Sequence, residues 1–197
     1  MDLENCVSIR RAQKSNTLSH VNHTHVSNVH LFGSTLPFLR AGYLSVYQND
    51  LSGPLPEGIT FKVMYYLDLS YNKFTGPLPT SWGEGDRKMT HIRFLILNNN
   101  QFSGIIPETY PHMGNGRMEL FHVGHNQLTG AVPSHYDNVR FLQSLEVHDN
   151  NFTEPLSQEI CGLLVWIPPS SEMVNLRADC DICSCNYMCT TDWCYEK

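Results

Sequence analysis

Histidine and carboxylate side chains at a regular spacing are the residues of this chain best suited to chemistry. His122 and Glu146 are 24 residues apart, and so are His125 and Asp149, with His148 beside the second group. Imidazole nitrogens and carboxylate oxygens bind zinc and related metals, and the same groups act as general acids and bases. A hydrolase or another metal-dependent enzyme is therefore one function that these five residues could serve.

Motifs that would fix these side chains in an active site are absent from the sequence. It contains no G-x-S-x-G, no phosphate-binding loop and no H-E-x-x-H. With 10 histidines in 197 residues, some must cluster, and a second group lies near the N-terminus: His20, His23, His25 and His30. We expect solvated or hydrogen-bonding histidines, with a pH-sensitive interface as an alternative. The prediction is a non-enzyme without catalytic residues, metal or cofactor.

Cysteines are concentrated at the C-terminal end. Six of the seven lie within 34 residues: Cys161, Cys180, Cys183, Cys185, Cys189 and Cys194. An even number of clustered cysteines suits disulfides, which stabilise a segment too small for a core of its own. Fifteen pairings of six cysteines are possible, and we expect Cys161 to pair with Cys180. The alternative is structural zinc, since C-x2-C and C-x3-C offer enough thiolates for a tetrahedral site. Cys6 is then the odd thiol.

Composition excludes two classes of protein. A net charge of -6 and a pI near 5.9 argue against a nucleic-acid-binding protein, which needs Lys and Arg to contact phosphates. The longest apolar run, residues 160–167, is far shorter than the ~20 residues of a membrane helix. Residues 1–16 contain no apolar segment typical of a signal peptide. We therefore predict neither a nucleic-acid partner nor a membrane span.

One segment of the sequence is repeated. Residues 67–79 read LDLSYNKFTGPLP, and four further copies share the alternating apolar residues followed by an asparagine. The five repeated asparagines are Asn49, Asn72, Asn100, Asn126 and Asn150, with steps of 23, 28, 26 and 24 residues. Alternating apolar residues predict a short strand in each copy, with one face turned inward. A single coil cannot bury that face, so the copies must stack and share one core.

The asparagines have a structural task in such a stack. Where the chain bends away from each strand, backbone groups would be buried without partners, and an Asn side chain offers them both donors and an acceptor. The following Gly permits unusual dihedral angles in the next bend, and Pro fixes φ on the way out. We therefore predict a structural asparagine ladder, since five parallel copies do not make five active sites.

The pattern LxLxxNxFxGxLP resembles the plant-type leucine-rich repeat over about residues 29–160. The resemblance implies an α/β-type, right-handed solenoid with a concave parallel sheet and a mostly 3₁₀ or irregular convex side. The longer steps predict convex loops at residues 83–88 and 112–117. Residues 161–197 form a Cys-rich cap that resembles the tails of secreted algal leucine-rich-repeat proteins. Residues 1–28 are expected to be an atypical or incomplete N-terminal segment.

The family mostly binds other molecules on its concave face. The predicted ligand-binding residues, on outward strand positions, are Tyr43, Tyr47, Tyr66, Asp68, Phe94, Asn98, His122, Glu146 and His148. Aromatic residues in one column suit recognition, and they could equally stack on one another to stabilise the sheet. The leading hypothesis is a non-catalytic module that binds a protein, peptide or glycan. The alternatives are an extracellular scaffold or receptor-ectodomain fragment and, less favoured, a metal-dependent enzyme.

Two sequons are candidates for glycosylation, Asn22-His23-Thr24 and Asn151-Phe152-Thr153. Asn151 follows the ladder residue Asn150 directly, so we expect it to be exposed just beyond the strand. Sequons, clustered cysteines and the resemblance together predict a secreted or cell-surface protein.

Overall fold

Each sequence repeat forms one coil of a stacked solenoid, as predicted. The computed structural model describes residues 6–8, 42–57, 62–134, 141–165, 175–185 and 194–195. The start of the predicted repeat region, residues 29–41, lies outside these ranges, as do Asn22 and the N-terminal histidines. Within these ranges all strand pairs are parallel, and they form two sheets.

The first sheet contains one strand from each coil. Numbered in chain order, its eight strands are β1 (Cys6–Ser8), β2 (Tyr43–Ser45), β4 (Tyr66–Asp68), β6 (Phe94–Ile96), β8 (Leu120–His122), β10 (Ser144–Glu146), β12 (Asn175–Asp179) and β13 (Cys194–Tyr195). The register aligns equivalent repeat positions, so Leu67 lies between Leu44 and Leu95. The first strand of this sheet thus comes from the segment that precedes the recognisable repeats.

A second sheet lies beyond the asparagine bend. Its five strands are β3 (Ser52–Pro54), β5 (Lys73–Gly76), β7 (Gln101–Gly104), β9 (Gln127–Gly130) and β11 (Asn151–Phe152). From the sequence these residues were expected to form bends, and the sheet was not predicted. The sequence nevertheless shows the alternation of polar and apolar residues that a strand produces. Lys73 and Gln101 are exposed, and the residues that follow them, Phe74 and Phe102, are buried.

Short 3₁₀ helices follow the second sheet on the convex side, as predicted. They span Thr80–Trp82, Gly85–Arg87 and Tyr110–Gly116, and the last two overlap the predicted loops. The Tyr110–Gly116 segment approaches the preceding coil closely at Gly114, which has a φ of +62°. A Cβ atom there would lie 2.1 Å from the Ile92 carbonyl oxygen, so only glycine fits. An α-helix, α1 (Gln158–Val165), follows the last strand of the second sheet.

The core lies between the two sheets and the convex segments. Inward strand residues such as Leu67, Leu69, Leu95 and Leu97 are fully buried. Phe74 and Phe102 stack across neighbouring coils, with ring centroids 6.1 Å apart and planes within 4° of parallel. Each coil therefore buries its apolar face against the next one, as a repeat architecture requires.

The ladder asparagines bridge neighbouring coils at the bend. The Asn100 side-chain amide donates to the carbonyls of Leu97 in its own coil and Leu69 in the preceding coil, at 3.1 and 3.0 Å. Its carbonyl oxygen accepts from the amide of Phe74, also in the preceding coil, at 3.0 Å. Asn72, Asn126 and Asn150 repeat this arrangement. One side chain thus pairs backbone groups that neither sheet satisfies.

Asp179 ends the ladder at the C-terminal side. Its carboxylate, in a residue that is 1% exposed, accepts hydrogen bonds from the amides of Asp149 and Asn150. In the preceding coil the equivalent amides, those of His125 and Asn126, donate to backbone carbonyls of the next coil. The carboxylate of Asp179 therefore takes the place of the carbonyls that a further coil would supply.

Disulfides hold the C-terminal cap, but the expected pair of Cys161 with Cys180 is wrong. Cys161 in α1 is bonded to Cys185, and Cys180 is bonded to Cys194. The reason is strand pairing, since β12 and β13 are neighbours that bring Cys180 and Cys194 together. Cys183 is also disulfide-bonded, so none of these five cysteines offers a thiolate to zinc.

Replacement of the ladder residue Asn150 by alanine tests this arrangement. The change leaves the amide of Leu128 and the carbonyl of Val123 buried without their partner. We expect the free energy of unfolding to fall by roughly 2–4 kcal/mol, measured by urea denaturation of non-glycosylated protein. The matched control is Asn151→Ala, which changes an exposed neighbour and should cost less than about 0.5 kcal/mol. Equal losses in the two variants would contradict the structural role of the ladder.

Candidate ligand-binding face

Outward positions of the first sheet form columns along the concave face. The register produces one column of Tyr43, Tyr66, Phe94, Leu120, Ser144 and Asn175, and a second of Ser45, Asp68, Ile96, His122, Glu146 and Arg177. A third column, Tyr47, Ser70, Asn98, Gly124 and His148, follows where each strand ends. Residues of one column are separated by the strand spacing of about 4.8 Å, so their side chains touch.

Aromatic side chains cover the N-terminal half of this face. The rings of Tyr43 and Tyr66 are stacked, with centroids 4.1 Å apart and planes within 3° of parallel, and Phe94 continues the row at 5.9 Å. Beside them Tyr47 contacts Tyr71 edge to face at 5.3 Å. Tyr43 and Tyr47 remain 38% and 43% exposed, so the row both stabilises the sheet and presents aromatic surface.

A small polar network lies beneath the aromatic row. The Asp68 carboxylate accepts hydrogen bonds from the amide and the hydroxyl of Ser70. The Tyr66 hydroxyl lies 3.4 Å from the other Asp68 oxygen, and burial, together with this carboxylate, raises the pKa of Tyr66. Tyr66 therefore stays a neutral hydrogen-bond donor at physiological pH. Asp68 was predicted to be an outward contact residue, but neighbouring side chains leave it only 7% exposed, and Ser70 is 2% exposed.

The C-terminal half of the face contains a chain of hydrogen bonds through His122. The Asn175 amide donates to the Ser144 hydroxyl oxygen at 3.3 Å, and that hydroxyl lies 2.7 Å from His122 Nε2. With its oxygen accepting from Asn175, Ser144 is set to donate its proton to Nε2. His122 Nδ1 then carries the proton and faces the Glu146 carboxylate at 3.6 Å. The arrangement fits a neutral imidazole.

Burial lowers the pKa of His122 to about 4, and the nearby His148 and Arg177 add to the shift. The Glu146 carboxylate favours the charged form, but at 3.6 Å it does not offset the loss of hydration. Glu146 also faces the Arg177 guanidinium at 3.6 Å, which draws part of its charge away from the histidine. His122 is therefore neutral under physiological conditions.

His125 and His148 form a second pair at the end of the same strands. Their rings meet edge to face at 4.8 Å, and His125 Nδ1 lies 2.6 Å from the Asp149 carboxylate. His148 lies over Gly124, where a Cβ atom would be 2.8 Å from the His148 ring, so the small residue makes room for the imidazole. Burial lowers the pKa of His148, with further contributions from His125 and Arg177.

These contacts favour a structural and binding role over chemistry. Glu146, His122 and Ser144 are the residue types of a hydrolase triad, but Ser144 is only 8% exposed and a histidine with a lowered pKa is a weak base. Within the described ranges, no group of three or more His, Cys, Asp or Glu side chains converges where a metal could bind. The same part of the chain has no helix with the length and apolar character of a membrane span.

Several residues of this face were not predicted from the sequence. Asn175 and Arg177 extend the first and second columns into β12, and Tyr71 adds an aromatic ring from the bend beside Tyr47. The pattern Val174-x-Leu176 predicts a last strand, so the outward positions of Asn175 and Arg177 could have been read from it. Asn98, a predicted contact residue, has a buried side-chain oxygen that accepts no hydrogen bond from the described residues.

Known proteins share both the repeat and the fold. A leucine-rich-repeat family profile matches residues 64–84 and 91–113, which supply the central coils. Receptor-like protein 41 of Arabidopsis thaliana is 34% identical to this chain over 125 residues, or 62% of this chain and 13% of that protein. The chain contains leucine-rich repeats of the kind found in plant receptor-like proteins.

Two solved receptors resemble this leucine-rich-repeat protein in structure. Plant peptide hormone receptor RGFR1, in complex with RGF2, has a TM-score of 0.56 and 25% identity over 70% of this chain and 20% of that chain. Arabidopsis receptor kinase HAESA, in complex with the peptide hormone IDA and the co-receptor SERK1, has a TM-score of 0.54 and 25% identity over 69% of this chain and 22% of that chain. The leucine-rich-repeat protein thus spans about a fifth of either receptor.

The lowered pKa of His122 predicts how stability depends on pH. In the unfolded chain His122 binds a proton near its ordinary pKa of 6.5, whereas the folded protein resists protonation until about pH 4. Between these values the unfolded state binds more protons, so the free energy of unfolding falls as the pH is lowered through this window. Of this loss in the free energy of unfolding, at most about 3 kcal/mol comes from His122.

His122→Gln removes this proton linkage and keeps a polar side chain beside Ser144. We expect urea unfolding of the variant to depend less steeply on pH between 6.5 and about 4 than that of the wild-type protein. NMR titration of the His122 ring, assigned by comparison with the variant, supplies the direct measurement. A midpoint near 6.5 would show that the imidazole is not desolvated as described.

Proposed function

We propose that the concave face binds an extracellular peptide, or a peptide-like segment of a protein, in an extended conformation. The observation that carries the proposal is the partly exposed aromatic row built on Tyr43, Tyr66 and Phe94, with Tyr47 beside it. Aromatic side chains provide large contact area at little cost in conformational entropy and dominate the binding energy of many interfaces. The His122 network continues the same face with groups that hydrogen-bond.

The geometry of the row favours a peptide over a glycan. Sugars bind aromatic residues by packing on ring faces, but the stacking of Tyr43 on Tyr66 occupies one face of each ring. At the centre of the row Tyr66 lies between Tyr43 and Phe94, so a ligand there meets its ring edge and hydroxyl group, which suit apolar side chains and backbone carbonyls. RGFR1 and HAESA, which share the fold, are receptors solved with peptide hormones, and this supports the same ligand class here.

The proposed module acts by binding and performs no chemistry of its own. The polar groups of the face are paired with one another, as Asp68 is with Ser70 and Glu146 with Arg177. The C-terminal disulfides suit the oxidising conditions outside the cell, which supports a secreted or cell-surface location.

A peptide library tests the proposal without a known ligand. Random linear peptides displayed on phage are selected on the wild-type protein, and synthetic copies of the enriched sequences are titrated against wild-type protein and the Tyr66→Ala/Phe94→Ala variant. We expect binding to weaken by about tenfold or more, because the variant loses the centre of the aromatic row.

The control variant is Gln101→Ala/Gln127→Ala, which alters exposed residues of the second sheet and should bind as the wild type does. Urea denaturation confirms that both variants are folded. Enriched peptides that bind equally well to the aromatic variant, or the absence of any enriched sequence, would contradict peptide recognition by this face.

A further inference from the structure

Two consecutive asparagines, Asn150 and Asn151, have opposite environments. Asn150 is 2% exposed, and its amide donates to carbonyls of its own and the preceding coil. Asn151 is exposed, and its side-chain amide makes no hydrogen bond with the described part of the chain. Thr153, the third residue of the sequon, is exposed as well. The ladder fixes this difference, because the buried orientation of Asn150 forces its neighbour outward.

The position of Asn151 in the second sheet is also distinctive. It begins β11, and β11 is an edge strand because it pairs with β9 and no further strand of the described residues lies beside it. The first sheet, by contrast, continues through β12 and β13 into the disulfide-bonded cap. An exposed edge strand is a template for pairing with another chain, and proteins protect such edges with charges, prolines or bulky groups.

We propose that Asn151 carries an N-linked glycan that covers the exposed edge of the second sheet. Transfer forms a bond between the Asn151 amide nitrogen and the anomeric carbon of a lipid-linked oligosaccharide. The bond from that carbon to the diphosphate oxygen breaks, the lipid diphosphate leaves, and the amide proton passes to a base of the transferase. The hydroxyl of Thr153 completes the acceptor sequence.

No other strand of the second sheet offers an acceptor at this position. The residues that follow the other ladder asparagines are Asp50, Lys73, Gln101 and Gln127. The only sequon in the sheet therefore falls on its C-terminal edge strand, where a bulky hydrophilic group prevents pairing. Asn151 lies on a different sheet from the columns of the concave face, so the glycan leaves that face open and this inference does not depend on the proposed ligand.

Site occupancy is tested on the full chain secreted from a eukaryotic host behind a cleavable leader. The Asn22→Gln substitution removes the other sequon. Glycosidase treatment of this protein in heavy-oxygen water converts an occupied Asn151 to a labelled Asp, which mass spectrometry detects. We expect the label in the Asn22→Gln protein and in its Thr153→Ser derivative, and its loss in the Thr153→Val derivative. A secreted Asn22→Gln protein without a glycan would overturn the proposal.

The protective role is tested by light scattering after size-exclusion chromatography over a range of concentrations. Because enzymatic release of the glycan leaves a charged Asp at position 151, the glycan-free protein used is the Asn22→Gln/Asn151→Gln variant, and its apparent mass should exceed that of the glycosylated Asn22→Gln protein through self-association. In the same background, Asn151→Lys places a charge on the edge strand and should restore the smaller species without a glycan, whereas Asn151→Gln should not. Identical profiles with and without the glycan would show that it does not guard the edge.

Discussion

The hydrogen bonds of the ladder asparagines are the interaction on which this structure depends. At each bend the chain leaves one sheet and enters another, and backbone groups of two coils are buried there without strand partners. Asn100 satisfies the carbonyls of Leu69 and Leu97 and the amide of Phe74 with a single side chain. A buried polar group left unpaired costs far more than an ordinary hydrogen bond contributes, so the bend is possible only where such a side chain is present.

The concave face follows from this constraint. Because every coil bends at the same repeat position, the strands align in register and equivalent residues form columns, such as Tyr43, Tyr66 and Phe94. The core needs only the inward residues, so the outward ones are free to differ from coil to coil. The aromatic row and the His122 network arise in this way: one regular scaffold presents two kinds of surface. At the ends of the solenoid no further coil supplies hydrogen-bond partners, and at the C-terminal side the carboxylate of Asp179 supplies them instead.

The sequence predicted the fold and the columns, because a periodic pattern carries the same information five times. It did not predict features that depend on one coil alone. The pairing of Cys161 with Cys185 is set by where α1 meets the tail, and no repeat position encodes that contact. The second sheet was missed because its residues include the Gly and Pro that the repeat pattern assigns to bends, although Phe74 and Lys73 alternate between core and solvent. The burial of His148 over Gly124 likewise depends on a residue of the neighbouring coil.

Hydrogen exchange of backbone amides in the native protein tests the central claim most directly. The amides of Leu51, Phe74, Phe102 and Leu128 donate to side-chain oxygens of ladder asparagines rather than to backbone carbonyls. If the ladder holds the coils together, these four amides exchange as slowly as those at the centre of the first sheet, because they are released only when neighbouring coils separate. Exchange as fast as that of unprotected loop amides would contradict the account.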